Sequence, residues 1–267
     1  MPPIRISELH IYPIKSARGI SLAFARLDER GLQHDRRWMV VDKRGHFLTQ
    51  RKIPRMALIR VEIDTASLKV STEGMPDLLV PLILQSQDLM RVQVWEDSLD
   101  AHDVGEEAAS WFTKMLGRPC RLVQMPAQAD RFANPKYAPE QAPVSFADAF
   151  PLLLISQASL DELNRRLAEP VPMNRFRPNI VVEGCSPHEE DTWQTLRVGA
   201  ITLRVAKPCS RCSVPMVDQD TGERGREPIH TLESYRAFGS KVLFGQNLVH
   251  KSQGILRVGD IVQPTSR

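Results

Sequence analysis

Short runs of alternating apolar and polar residues dominate the first half of this chain. They include IRISELHIYPIK at 4–15, RMALIRVEID at 55–64 and RVQVWED at 91–97. Alternation with a period of two is typical of half-buried β-strands. In residues 36–51, two apolar stretches flank Asp42-Lys43-Arg44-Gly45, which predicts a hairpin. The pattern therefore predicts an antiparallel β-domain in the first half, with a barrel as one form of it.

The apolar spacing changes to a helical period at EEAASWFTKMLG, residues 106–117, where Gly117 is a plausible helix end. SLDELNRRL at 159–167 predicts a second helix, with Ser159 as N-cap and Glu162 completing a capping box. HTLESYRAF at 230–238 predicts a third, short helix.

The second half also contains several strand-like segments. They are NIVVEG at 179–184, TLRVGAITLRVAK at 195–207 and ILRVGDIVQP at 255–264. Between the two halves, residues 127–145 are rich in Ala, Pro and polar residues, which predicts either a linker or a long ordered loop. The fold class predicted for the whole chain is mainly β with some α (α+β). The predicted domains are residues 1–125 and 126–267, because 267 residues suit one or two domains.

The composition argues against nucleic acids and membranes as binding partners. Hydrophobic residues make up 42% and charged residues 25%, as expected for a globular chain with a sizeable core. The formal net charge of +3 is too small to indicate nucleic-acid binding. The most apolar stretch, FPLLLI at 150–155, is too short to cross a bilayer, and the N-terminal residues resemble no secretion signal. We therefore expect a cytoplasmic protein with reduced cysteines and no membrane partner.

The segment KPCSRCSVP, residues 207–215, places two cysteines beside a lysine and an arginine and is the strongest candidate for a reactive site. Its two cysteines could be half of a zinc site, a thiol–disulfide pair, or two ordinary buried thiols. A second ligand pair for zinc is missing, and Pro215 does not suit the helix that usually follows a redox pair. Lys207 and Arg211 favour a thiolate, which is a nucleophile or a soft metal ligand. The residues themselves indicate a reactive or ligating cysteine and do not choose between the two sulfurs.

Five motifs in order resemble the MOSC family, the molybdenum-cofactor sulfurase C-terminal domain. They are IYPIKSARGI with LDERGLQHDRRWMVVD, FRPNIVVEG, KPCSRC, VDQDTG and LFGQNLV, and they span nearly the whole chain. The resemblance is to two-domain members, the YcbX-type proteins of bacteria and the mitochondrial amidoxime-reducing component. It implies an N-terminal β-barrel-like domain followed by a MOSC β-barrel domain, with a cofactor in the cleft between them.

The resemblance also implies a site. It assigns a molybdenum cofactor, Mo-molybdopterin, whose metal binds the second cysteine of the loop, Cys212, with Cys209 as a neighbour. Cations for the polyanionic cofactor would come from separate segments, hydroxyls would add donors, and amides could read the pterin edge. Asp148 would touch the cofactor or cap the segment before FPLLLI. The implied cofactor-binding residues are Lys15, Ser16, Arg36, Asp148, Arg177, Asn179, Ser210, Arg211, Gln246 and Asn247.

The implied activity is the reduction of N-hydroxylated small molecules: amidoximes, hydroxylamines and hydroxylated nucleobases. The chain has no Cys-x₄-Cys-x₂-Cys run and so no iron–sulfur cluster is expected in it. Electrons would then come from a separate ferredoxin, flavodoxin or flavoprotein reductase. The alternatives are a carrier of molybdenum cofactor or of a cysteine persulfide, and a binding protein without metal.

The cysteine loop departs from the family pattern in two places. Pro215-Met216 stand where a Thr-Thr pair is usual, and Gln219 replaces a proline. The loop beside the metal would be less polar than in relatives, which puts the substrate preference in question.

Overall fold

The computed structural model describes residues 2–84 and 88–266 and confirms the predicted mainly β fold class. Three α-helices interrupt the strands: α1 (Glu106–Leu116), α2 (Gln157–Asn164) and α3 (Ile229–Arg236). The strands before α1 are β1 (Arg5–Ile11), β2 (Ile20–Leu22), β3 (Phe24–Asp28), β4 (Gly31–Leu32), β5 (Trp38–Asp42), β6 (Arg60–Ile63), β7 (Ser67–Ser71), β8 (Leu78–Pro81), β9 (Leu89–Val94) and β10 (Asp97–Asp103).

The strands after α1 form the predicted strand-rich second half. They are β11 (Cys120–Gln124), β12 (Leu152–Ser156), β13 (Ile180–Glu183), β14 (Trp193–Val198), β15 (Ile201–Ser210), β16 (Ala237–Phe238), β17 (Lys241–His250), β18 (Gly254–Arg257) and β19 (Gln263–Ser266). Short 3-10 helices cover Pro54–Leu58, Met173–Arg175, Glu189–Asp191 and Val214–Met216.

The largest sheet draws strands from both halves of the chain. Its order is β19-β14-β15-β17-β12-β13-β1-β2, and β16 pairs with β17. β1 lies antiparallel to β13, with Arg5 opposite Glu183, whereas β12 and β13 are parallel. β1 and β2 of the first half therefore share a sheet with strands of the second half, β12 to β17 and β19. The boundary at 125/126 stays a prediction, and this sheet crosses it.

Smaller sheets complete the β structure. Their orders are β5-β11-β10-β9, β18-β3-β4 and β6-β7-β8. The apolar face of α1, which includes Trp111 and Phe112, packs into a core with Trp38 and Leu122. Gly117 ends this helix as expected, because its left-handed backbone (φ 67°) suits the residue without a Cβ.

The predicted cap of α2 is wrong. The helix begins at Gln157 and is capped by Ser156, whose Oγ accepts from the backbone N–H of Ser159 at 3.1 Å. The reason is that β12 runs directly into the helix, so its last extended residue takes the cap position. The Ser159 hydroxyl instead donates to the buried Glu190 at 2.7 Å.

Residues 127–145 form a long ordered loop, the second of the two predicted alternatives. Arg131 is only 4% exposed, and its guanidinium donates to the carbonyls of Ser145 and Ala147. These bonds fix the chain that leads to Asp148. Within the described ranges, no helix has both the length and the apolar character needed to cross a membrane.

Candidate functional site

A cavity of about 220 Å³ opens where several chain segments of both halves meet. Every site residue predicted from the sequence except Gln246 lines it. Those residues are Lys15, Ser16, Arg36, Asp148, Arg177, Asn179, Ser210, Arg211, Cys212 and Asn247. Lys15 and Asn247, 232 positions apart in sequence, thus face one space because β1 pairs with β13 and β15 with β17.

Gln246 lies outside this cavity. Its side chain is fully buried, and its Nε2 donates to Asp191 at 2.6 Å. Neighbouring strand residues point to opposite faces of a sheet, so β17 can present Asn247 to the cavity and Gln246 to the other side. The structure does not bring Gln246 to the other site residues.

Tyr12 organises two of the cations. The guanidinium carbons of Arg36 and Arg177 lie 4.4 Å and 4.2 Å from its ring centroid. Its hydroxyl donates to the carbonyl of Pro178 at 3.0 Å. Burial raises the pKa of Tyr12 despite the opposing charges of the two arginines, so the phenol stays neutral. Cation–π contacts of both guanidiniums with one ring stabilise two like charges close together.

Hydrogen bonds donated by their guanidiniums also fix the positions of Arg36 and Arg177. Arg36 donates to Asp35 at 2.6 Å and to the amide oxygen of Asn179 at 3.1 Å. Arg177 donates to the carbonyl of Ala17 at 2.7 Å, and burial lowers its pKa to about 10. At neutral pH Arg177 remains a cation.

Asn179 is committed to protein contacts. Its amide oxygen also accepts from the backbone N–H of Leu153, and its Nδ2 donates to the carbonyl of His10, both at 3.1 Å. This side chain therefore fixes the position of Arg36 and ties β1 to the strands beside it. The expectation that it reads a pterin edge stays a prediction.

The buried Lys15 forms an ion pair with the half-exposed Asp148 on another wall. The Nζ of Lys15 donates to Asp148 at 2.5 Å and to the carbonyl of Phe146 at 2.7 Å. Arg51 donates to the second oxygen of Asp148 at 2.9 Å. Burial alone would raise the pKa of Asp148, but the charges of Lys15 and Arg51 outweigh it and hold that pKa well below its usual range. Asp148 binds two cations and does not cap the following segment.

Lys15 gives a pH-dependent stability that can be measured. Burial lowers its pKa from 10.5 to about 8, with Asp148 opposing and Arg131 and Arg51 adding to the effect. Between these values the unfolded chain binds a proton that the folded chain has released, so the free energy of unfolding rises with pH. From pH 8 to 10 we expect wild type to gain roughly 2 kcal/mol relative to Lys15→Met in urea unfolding of the cofactor-free protein. A constant difference between the two proteins would contradict this.

The two cysteines of the loop are free thiols with different surroundings. Cys212 is exposed, whereas the Sγ of Cys209 accepts from Arg211 at 3.2 Å. Arg211 also donates to the carbonyl of Phe176 at 2.7 Å. Over residues 2–84 and 88–266, no three His, Cys, Asp or Glu side chains are grouped closely enough to hold a metal ion. Cys212 is therefore the more accessible sulfur at this cavity.

Comparison with known proteins gives the family. A model described as "MOSC N-terminal beta barrel domain" matches residues 3–119, and one described as "MOSC domain" matches residues 141–263. Mitochondrial amidoxime reducing component 2 of Bos taurus is 38% identical over 275 residues, covering 96% of this chain and 82% of that protein. The chain belongs to the MOSC family. Mitochondrial amidoxime-reducing component 1 of Homo sapiens is 35% identical over 277 residues, with the same coverage of 96% and 82%.

In this MOSC protein, two cations of the cavity wall lie outside the predicted cofactor-binding set: Arg51, which sequence analysis missed, and Lys207, which it named for its effect on the cysteines. Arg51 and Lys207 both line the cavity, and the Nζ of Lys207 lies 4.5 Å from the ring centroid of Tyr137. The position of Lys207 beside Cys209 was a signal for it. No feature of the sequence indicated a site role for Arg51, because Gln50-Arg51-Lys52 has the composition of an ordinary polar turn.

Three site residues of the MOSC protein have unusual backbone geometry. Among the residues that the structure describes, seven non-glycine residues have positive φ, and Ser16 (68°), Arg36 (49°) and Arg177 (58°) are three of them. Such conformations cost about 1–2 kcal/mol each and tend to occur at binding sites. Three of the seven therefore line one cavity, where the surrounding contacts hold them in strained conformations.

The departures in the cysteine loop have structural consequences. Val214 lines the cavity, whereas Pro215 is buried and its carbonyl accepts from Arg175 at 2.7 Å. Gln219 exchanges two amide hydrogen bonds of 3.1 Å with Gln50, and both side chains are buried. Gln50 also donates to the carbonyl of Ser16 at 2.9 Å. The glutamine that replaces the family's proline therefore braces the Ser16 turn.

This amide pair allows a stability test. Replacing Gln219 with Leu leaves the amide oxygen of Gln50 buried without its partner, which we expect to cost about 1–3 kcal/mol. The Gln50→Leu/Gln219→Leu double variant should lose less than the sum of the two single variants, because each single change strands the other amide. Urea unfolding of the four proteins measures the coupling, and additive losses would show that the pair is not coupled.

Proposed function

We propose that this chain is an oxidoreductase that reduces N-hydroxylated compounds with a molybdenum cofactor in this cavity. The observation that carries the proposal is one exposed thiol, Cys212, on a cavity whose wall contains cations from both halves of the chain. The curated relatives named amidoxime reducing components support the reaction class.

The side chains present fit a polyanionic cofactor. The lining residues carry six cationic side chains and one carboxylate, that of Asp148. The cations are Lys15, Arg36, Arg51, Arg177, Lys207 and Arg211. The Nε atoms of Arg51 and Arg211 are buried without a hydrogen-bond partner. Buried donors of this kind are satisfied by a ligand or by ordered water. A phosphate and a pterin could take up these donors.

Different residues would bind different parts of the cofactor. Cys212 would bind the metal, because a thiolate is a soft ligand. The arginines and the hydroxyls of Ser16 and Ser210 would hold the phosphate and pterin. When bound, the cofactor supplies two-electron oxygen-atom transfer. Lys15, with a pKa of about 8, holds its proton at neutral pH beside this space.

The overall reaction requires two electrons and two protons from outside the substrate. An amidoxime, two electrons and two protons give the amidine and water as the N–O bond breaks. We propose that the electrons come from a separate ferredoxin, flavodoxin or flavoprotein, which docks on this chain.

The test uses protein expressed in a host that makes molybdopterin. We expect near-stoichiometric molybdenum by metal analysis, and reduction of benzamidoxime to benzamidine with reduced viologen dye but not with NAD(P)H alone. Protein without molybdenum would contradict the cofactor. Molybdenum without benzamidoxime reduction would contradict the reductase and favour the cofactor-carrier hypothesis.

A further inference from the structure

Trp95 is an exposed aromatic residue in a strained position. It lies in the two-residue turn between β9 and β10, with φ 57° and 45% of its surface exposed. Positive φ is an outlier for a bulky residue, and turns of this length usually place glycine, asparagine or aspartate there. The other tryptophans, Trp38, Trp111 and Trp193, are buried. A strained, exposed indole has no explanation in core packing.

The indole is nevertheless fixed by its neighbours. The guanidinium carbon of Arg51 lies 4.4 Å from its ring centroid, and Phe47 packs against it edge-on at 5.2 Å and 60°. Its Nε1 donates to Asp148 at 3.3 Å, and its carbonyl accepts from Gln93 at 2.8 Å. These contacts orient the ring and leave part of its surface open to solvent.

The open part of the indole faces a second cavity, which adjoins the first. This cavity has a volume of about 410 Å³ and is lined by Phe47, Arg51, Gln93 and Trp95 among others. Arg51 lines both cavities, and Asp148 of the first cavity accepts the hydrogen bond from Trp95. The two cavities therefore share Arg51, and the hydrogen bond from Trp95 to Asp148 joins their walls.

We propose that Trp95 is the stacking surface for the substrate and makes the chain selective for planar aromatic N-hydroxylated compounds. The inference rests on the proposed reductase function and adds its substrate class: arylamidoximes and N-hydroxylated bases above aliphatic ones. A flat π-system gains stacking energy on an exposed indole, whereas a small aliphatic group does not. The volume and the mixture of aromatic and polar lining suit a small organic ligand.

A comparison of two amidoximes and three proteins tests the selectivity. In Trp95→Leu we expect kcat/KM for benzamidoxime to fall about 10-fold through KM, and that for acetamidoxime to change less than about 3-fold. Trp95→Phe should keep most of the benzamidoxime activity, because it retains a π-face while also losing the Nε1–Asp148 hydrogen bond. Equal losses for both substrates, or a Trp95→Phe variant as impaired as Trp95→Leu, would overturn the stacking role.

A binding measurement separates this inference from the reductase proposal. Because Trp95 is the exposed one of the four tryptophans, benzamidoxime should quench indole fluorescence saturably in wild type without any electron donor. Acetamidoxime should quench it less, and the Trp95→Leu variant should show no saturable quenching. If no protein reduces benzamidoxime but the quenching is present, the reductase proposal fails while the aromatic site stands. Absence of saturable quenching in wild type would overturn the aromatic site.

Discussion

Replacing Cys212 with Ser is expected to remove bound molybdenum and to lower benzamidoxime reduction by more than about 100-fold. Changes to the outer partners of metal ligands already cost about 10–100-fold, and this change removes the proposed ligand itself. A serine hydroxyl keeps its proton at neutral pH and is a harder donor than a thiolate. Cys212 is exposed on the cavity wall, so its replacement should affect the metal more than the fold.

Cys209→Ser is the matched control for this prediction. It lines the same cavity three residues away, and its Sγ accepts from Arg211. A serine oxygen can accept the same hydrogen bond, so we expect molybdenum content and activity within about 10-fold of wild type. Metal analysis, the absorption of the metal–thiolate bond and viologen-coupled turnover measure all three proteins. Equal loss in both variants, or loss in Cys209→Ser alone, would contradict the assignment of Cys212.

The second large effect is expected at Tyr12, and it concerns stability. Tyr12→Ala should lower the free energy of unfolding by about 3–5 kcal/mol, as for other buried aromatic residues replaced by alanine. Tyr12 is 2% exposed, and its ring contacts the guanidiniums of both Arg36 and Arg177. It also packs so closely on Gly19 that a Cβ there would lie 2.5 Å from the ring. Without the ring, two buried like charges face a void.

Tyr12→Phe distinguishes the ring from its hydroxyl. This variant keeps both cation–π contacts and loses only the hydrogen bond to the carbonyl of Pro178, which we expect to cost about 1 kcal/mol. Urea unfolding of the cofactor-free proteins measures both changes. If Tyr12→Phe is as unstable as Tyr12→Ala, the hydroxyl and not the guanidinium stack holds this region together.

The site shows how local sequence and tertiary context differ in what they reveal. Taken singly, Lys15 has the appearance of a solvated charge at a strand end, but it is 5% exposed and bound to Asp148. Arg51 and Tyr12 carried no local signal, because their importance comes from partners far away in sequence. Gln246 and Asn247 are equivalent in the motif, and only the direction of β17 separates them.

Patterns that depend on near neighbours were therefore predictable from sequence. The period-two runs and the helical spacing of residues 106–117 determined the mainly β fold class and the position of α1, because strand and helix geometry repeat over a few residues. The ordered motifs determined the family. Only the tertiary structure decided that β1 joins the sheet of the second half, that Ser156 caps α2, and that Trp95 lies beside the cavity. These features depend on contacts between residues 53 (Trp95 and Asp148) to 178 (Arg5 and Glu183) positions apart, or on competition between equivalent side chains, and local sequence encodes neither.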